Sequence, residues 1–141
     1  MSKTEGFYTL KGYQINSDPE LTTAMEDYLE MICRILRHNE NVRVSDLSKM
    51  LHVKPSSVSK MIQQLNYSGF INAKKYGFIE LTEKGRKAGN YLLYRHDVLH
   101  RFLCEVNNSF DELEQVEKIE HFFNKATIKN LDKFIEKNKK P

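Results

Sequence analysis

From Thr22 onward, apolar residues recur three and four positions apart along most of the chain, the period of amphipathic helices. Met25, Leu29, Ile32 and Leu36 give the first stripe, opened by what reads as a capping box, Thr23-Ala-Met-Glu26, and closed by His38 to Asn41. Leu47 and Leu51 mark a short second helix, and His52 and Val53 turn the chain. Pro55 suits the first position of a third helix, where its missing N–H costs nothing, and Val58, Met61, Ile62 and Leu65 form the inward stripe. Gly69 stops it. Phe70 to Lys75 and Phe78 to Leu81 then read as strands with Tyr76-Gly77 at the turn. Thr82 caps a long helix reaching about Val106, with Leu92, Leu99, Phe102, Leu103 and Val106 on its apolar side, Tyr91 and Tyr94 flanking, and His96 facing inward along the seam. Asn107-Asn108-Ser109 breaks it. Two helices follow, Asp111 to Phe123 with Val116, Ile119, Phe122 and Phe123, and Thr127 to about Lys137 with Ile128, Leu131, Phe134 and Ile135. Residues 1–20 show no clear period and read as a flexible arm.

Helix, turn, helix and basic hairpin in that order read as a winged helix-turn-helix. The outer face of the third helix carries short donors, amides and one cation, Ser56, Ser57, Ser59, Lys60, Gln63 and Gln64, and Lys54 and Pro55 at its start join them as candidate DNA-contacting residues. Such a face fits a major groove, with small polar groups near the helix start reaching base edges and lysine meeting phosphate. Lys74 and Lys75 near the hairpin tip are placed to meet the sugar-phosphate backbone. The expected fold is mainly α: an arm over residues 1–21, a winged helix-turn-helix with a two-stranded wing over 22–82, and a helical metal-binding and dimerisation domain over 83–141. The apolar surface of the last two helices exceeds what so small a unit can bury alone, so a homodimer is expected.

A length of 141 residues suits one domain with a helical appendage, and 40% hydrophobic residues supply a core. The net charge of +3 permits a nucleic-acid partner without demanding one. Its distribution says more: lysines and arginines gather in the middle of the chain, acids at Glu26 to Glu30 and Asp111 to Glu120. Cys33 and Cys104 make neither a disulfide framework nor a thiolate zinc site, and no apolar run is long enough to span a bilayer. A cytoplasmic protein without a membrane partner is expected.

Asp27 and Glu30 project from one side of the first helix, where Glu30 also has Arg34 one turn on as an ordinary solvated partner. In Glu117-Lys-Ile-Glu120-His121 two carboxylates and an imidazole share a helical face. On local evidence alone a charged solvent face, offset by Lys118 and Lys125, is the favoured reading of this run.

MEDYLE at 25–30, VSDLSKMLHVKPSSVSKMIQQL at 44–65, YRHDVLHRFL at 94–103 and VEKIEH at 116–121 together resemble the DtxR/MntR family of metal-dependent repressors, most of all its manganese transport regulator branch. The likeness runs in matching order from about Thr22 to Glu136. It implies a two-metal site joining three helices, with Asp27, Glu30, His96, Glu117, Glu120 and His121 as ligands and with Glu117 and Glu120 bridging the ions. Two departures stand out: an arm longer than the family usually has, and Phe122 where a second histidine sometimes follows His121.

Four carboxylates and two imidazoles without a thiolate form a hard, oxygen-rich set suited to six-coordinate Mn²⁺. Iron-sensing relatives place sulfur ligands where this chain has Asp27 and Glu120. The expectation is therefore two Mn²⁺ per subunit, with Fe²⁺, Zn²⁺ and Cd²⁺ as competing ions, Zn²⁺ binding tightly while preferring four ligands. The resemblance implies a manganese-responsive repressor of uptake genes, acting on double-stranded DNA at a palindromic operator. The alternative is a winged-helix regulator answering to iron, a small molecule or oxidation of Cys33 and Cys104. With no paired Glu-x-x-His signature, nucleophile or phosphate loop, an enzyme is not expected.

Overall fold

The computed structural model describes residues 9–10 and 21–139. The arm expected over residues 1–21 lies almost entirely outside them. Helix α1 (Thr23–His38) leads to a short strand β1 (Val42–Arg43), then α2 (Val44–Leu51) and α3 (Pro55–Tyr67). Strands β2 (Ile71–Ala73) and β3 (Phe78–Leu81) form the wing, followed by α4 (Glu83–Asn107), α5 (Leu113–Ile119) and α6 (Lys125–Lys137).

The local chemistry places these boundaries. Helix α1 is capped by Thr22 rather than by Thr23: the Thr22 hydroxyl accepts a hydrogen bond from the Met25 N–H at 3.2 Å. Glu26 is thus released from capping. His52 closes α2 with φ of 54°, and Pro55 opens α3. Gly69, at φ of 83°, supplies the left-handed residue just past α3. Thr82 caps α4, its hydroxyl accepting from Gly85 N–H at 3.0 Å.

Four spans differ from the sequence reading. The sheet has three strands, not two, in the order β1-β3-β2, with Val42 opposite Ile79 and Arg43 opposite Phe78. A two-residue strand carries no period of its own to read. β2 stops at Ala73, because Lys75–Gly77 forms a 3-10 turn in which Tyr76 takes φ of 64°. The helix expected over 111–123 is shorter: Leu113–Ile119 is α-helical and Glu120–Phe122 tightens into a 3-10 turn. The last helix starts earlier than Thr127, at Lys125, since the Asn124 side chain accepts from Thr127 N–H at 2.8 Å.

Two apolar cores result. One gathers α1, α2, α3 and the sheet around Leu29, Ile32, Leu47, Val58, Leu65 and Phe70, and takes in Leu92 from α4. The other joins Val98, Leu99 and Leu103 of α4 to Val116, Ile128 and Ile135. Helix α4 therefore belongs to both. Val106, Phe122 and Phe134, placed on inward stripes by spacing, are more than half exposed, and Phe110 is fully exposed. This apolar surface lies on the C-terminal half.

Helix α4 sits against the first core with no room for a side chain at two of its glycines. A methyl group at Gly85 would overlap the Phe70 carbonyl oxygen, and one at Gly89 would overlap the Cys33 sulfur. The Phe70 carbonyl is backbone and cannot swing aside, so Gly85→Ala is expected to cost ~1–3 kcal/mol. Chemical denaturation at fixed pH checks this; a variant as stable as the parent would show that the packing is looser than drawn.

Candidate metal centre

The site is assembled where α1, α4 and the end of α5 meet. Asp27 and Glu30 come from α1, His96 from the middle of α4, Glu117 from α5, and Glu120 and His121 from the 3-10 turn that follows. The tightening of that turn carries Glu120 inward: it is 1% exposed, beside Glu30 at 7% and His96 at 9%. Asp27 and Glu117 sit at the rim with about half of each side chain in solvent.

All six expected ligand residues converge, in two overlapping groups. Glu30, His96, Glu117 and Glu120 each offer a donor atom within 4.8 Å of the others, and so do Asp27, Glu120 and His121. Glu120 belongs to both groups and Glu117 to the first only. His96 uses Nδ1, which lies 2.9 Å from Glu120 Oε2, 3.6 Å from Glu117 Oε1 and 4.0 Å from Glu30 Oε2. His121 turns Nε2 to Asp27 Oδ1 at 2.9 Å. Arg34 touches Glu30 Oε2 at 3.4 Å, while Glu30 Oε1 is buried with no hydrogen-bond partner.

The electrostatics are those of crowded acids. Burial, and then the Glu120 carboxylate, push Glu30 up to about 7. Burial and Glu120 also raise Glu117. The hydrogen bond to Glu120 raises His96 against its burial. Hydrogen bonds to Asp27 and Glu26 take His121 up to about 10. Each of these groups thus holds a proton more firmly than in water. A divalent cation fits the same place: it supplies charge to carboxylates that repel one another and a partner to the orphaned Glu30 oxygen, and its donors are oxygen and imidazole only.

One pair escaped the sequence reading. Arg95, 3% exposed, reaches Glu26 with Nη2 at 3.2 Å and Nη1 at 3.3 Å, and Glu26 Oε1 lies 2.7 Å from His121 Nδ1. Against its burial, the hydrogen bond to His121 and the Arg95 charge hold Glu26 below the usual carboxylate range. The only hint in the sequence was an arginine beside His96 on a helix face that is otherwise buried.

The ten residues expected to read DNA lie apart from this centre. Lys54, Pro55, Ser56, Ser57, Ser59, Lys60, Gln63 and Gln64 are all exposed along the outer face of α3. Lys74 and Lys75 are exposed on the wing, with Lys74 Nζ 3.8 Å from Glu80 and Tyr76 standing out at the tip. Neither cysteine joins the metal-ligand groups; Cys33 is buried against α4, and burial pushes its thiol up to about 11.

Residues 20–79 match the family model of the iron dependent repressor N-terminal DNA binding domain, and residues 82–140 that of the iron dependent repressor metal binding and dimerisation domain. The chain belongs to the iron-dependent repressor family. It is a DNA-binding transcriptional regulator that takes up divalent metal, not an enzyme. The HTH-type transcriptional regulator MntR of Geobacillus kaustophilus (strain HTA426) is 38% identical over 116 residues, covering 82% of each chain. MntR of Bacillus subtilis (strain 168) is 36% identical over the same length. Among solved structures, a manganese-dependent transcriptional repressor in complex with manganese is similar with a TM-score of 0.72 at 26% identity, over 79% of this chain and 52% of that one. The manganese regulator SloR follows at 0.70 and 25%, over 79% and 53%. The chain thus spans about half the length of these two solved regulators.

Metal ligands bind deprotonated, so loading this family member releases protons. With Glu30 near 7 and His121 near 10 in the metal-free chain, apparent affinity is lost as pH falls through neutrality. Between pH 8 and pH 6 displacing the His121 proton accounts for about 100-fold and the Glu30 proton for about 10-fold more, so a loss of roughly 1000-fold is expected. Titration calorimetry in two buffers of different ionisation enthalpy measures the proton release; a pH-independent affinity would contradict the assignment.

Proposed function

We propose that this chain is a manganese-responsive repressor, a homodimer that binds two Mn²⁺ per subunit between its DNA-binding and dimerisation halves. Its target is a palindromic operator controlling manganese uptake genes. The domain limits proposed are 22–82 for the DNA-binding half and 83–141 for the metal-binding and dimerisation half. The observation that carries the reading is the convergence of six oxygen and nitrogen donors from three helices in two groups sharing Glu120.

When bound, a divalent cation supplies the positive charge that these carboxylates lack. Every other part of the mechanism lies in the chain. Asp27 and Glu30 belong to α1, whose Leu29 and Ile32 share a core with Leu47, Val58 and Leu65 of the helix-turn-helix. His96 and Glu120 belong to the other half. In the metal-free chain the acids of the two halves repel, and the angle between the halves is free to vary. Drawing them together fixes that angle, and through the dimer the spacing of the two α3 helices, which must match half-sites about one DNA turn apart. A coupling of ~1–3 kcal/mol changes DNA affinity by one to two orders of magnitude.

The absence of sulfur from the donor groups supports Mn²⁺ over Cd²⁺, and their majority of carboxylate oxygens suits Mn²⁺ better than Zn²⁺. The buried position and raised pKa of Cys33 weigh against that cysteine as a thiol switch.

Mobility shifts on an operator selected from random duplexes, titrated with each metal, test the proposal. Asp27→Ala with His96→Ala is expected to abolish Mn²⁺-stimulated binding while the dimer persists by light scattering. Stimulation that survives would overturn the ligand assignment. Saturating Zn²⁺ is expected to leave DNA affinity below that with Mn²⁺; equal affinity would overturn the choice of metal. Lys60→Ala is expected to weaken binding uniformly across sequences and to flatten the salt slope by about one.

A further inference from the structure

The two imidazoles of the centre use different nitrogens. His96 turns Nδ1 to the acids, whereas His121 turns Nε2 to Asp27 and has Nδ1 on Glu26 Oε1 at 2.7 Å. Glu26 does not join either donor group, and the reason is visible: both of its oxygens are engaged, Oε1 by His121 and by Arg95 Nη2, Oε2 by Arg95 Nη1. Arg95 is buried and borders His121 Nδ1 itself at 3.4 Å, so it offsets the charge of Glu26 and keeps that carboxylate from swinging toward the acids. An imidazole whose Nδ1–H is given to a carboxylate presents its Nε2 lone pair in one fixed direction and as a stronger base.

We propose that Glu26, held by Arg95, is a positioning residue for one ion of the pair, the ion at Asp27, Glu120 and His121. It fixes the tautomer and ring orientation of His121 and leaves the ion at Glu30, His96, Glu117 and Glu120 largely untouched. The inference rests on the two-ion reading above. It also accounts for the adjacency of Glu26 and Asp27: neighbouring positions on α1 send one carboxylate to the outer nitrogen of His121 and the other to its inner nitrogen.

The test is calorimetric Mn²⁺ titration of the full-length wild type, Glu26→Ala and Glu26→Gln at one pH, with circular dichroism confirming that each is folded. Nitrogen-15 spectra of the Cd²⁺-loaded wild type report which nitrogen of His121 carries a proton. Glu26→Ala is expected to weaken one of the two ions about 10- to 100-fold and the other far less. Glu26→Gln recovers part of the loss, since its amide oxygen still accepts the Nδ1–H. His121 is expected to keep its proton on Nδ1 in the loaded protein. Two ions bound by both variants with wild-type affinity would overturn the inference alone. So would an equal loss of both ions, which marks a merely structural contact, or a loaded His121 protonated on Nε2. A wild type taking fewer than two ions overturns the two-ion reading and this inference with it.

Discussion

Glu30 and Glu120, on different helices, are both buried and both within reach of His96. Two carboxylates so placed cannot both be charged without compensation, because removing an ion from water costs several kcal/mol after relaxation. Arg34 reaches only one oxygen of Glu30 and leaves the other unpartnered. Closure of the two halves is therefore conditional. It requires either protons, which the raised pKa of Glu30 reflects, or positive charge brought from outside. The coupling needed to regulate DNA binding is ~1–3 kcal/mol, smaller than the penalty at stake. The contact between Glu30 and Glu120 is thus unfavourable until one of these compensations is made.

That contact acts only because the elements around it are stiff. Gly85 and Gly89 let α4 lie directly on the Phe70 carbonyl and Cys33, so the first half has little freedom to slide along α4. At the other end, Arg101 binds Asp97 on its own helix at 2.9 Å and Asp132 and Glu136 of α6 at 3.0 and 3.3 Å. Helix α4 is thereby tied to both cores. Surface pairs such as Lys118 with Glu114 are nearly fully solvated and contribute little to this.

The helices of the first half were legible because single residues mark their ends: Pro55 for α3, Gly69 after it, Thr82 for α4. Where two residues compete for a cap the sequence does not decide, and Thr22 took the place expected of Thr23 because its hydroxyl reaches Met25 N–H. The strand β1 was invisible, being held by β3 and not by any pattern of its own. The stripe over Val116 to Phe123 reads as one helix by spacing, yet the chain tightens at Glu120, and that tightening buries it. The six donor residues were visible by type and spacing only in part; their choice came from a family resemblance. The Glu26–Arg95–His121 contact was not visible, since Glu26 looked like half of a capping box and joins residues 69 and 95 positions away.

Separating the DNA face from the metal centre has a consequence for how the two can communicate. Among the described residues no hydrogen bond or ion pair joins an exposed group on α3 or the wing to a donor residue, so the two sites are linked through the packing between them rather than by direct contact. Position is carried by the packing of α1 on α2 and α3, where Leu29, Ile32, Leu47, Val58 and Leu65 are wholly buried and interiors of this density transmit displacement instead of deforming. The same residues that give the first half its stability therefore make it a rigid body.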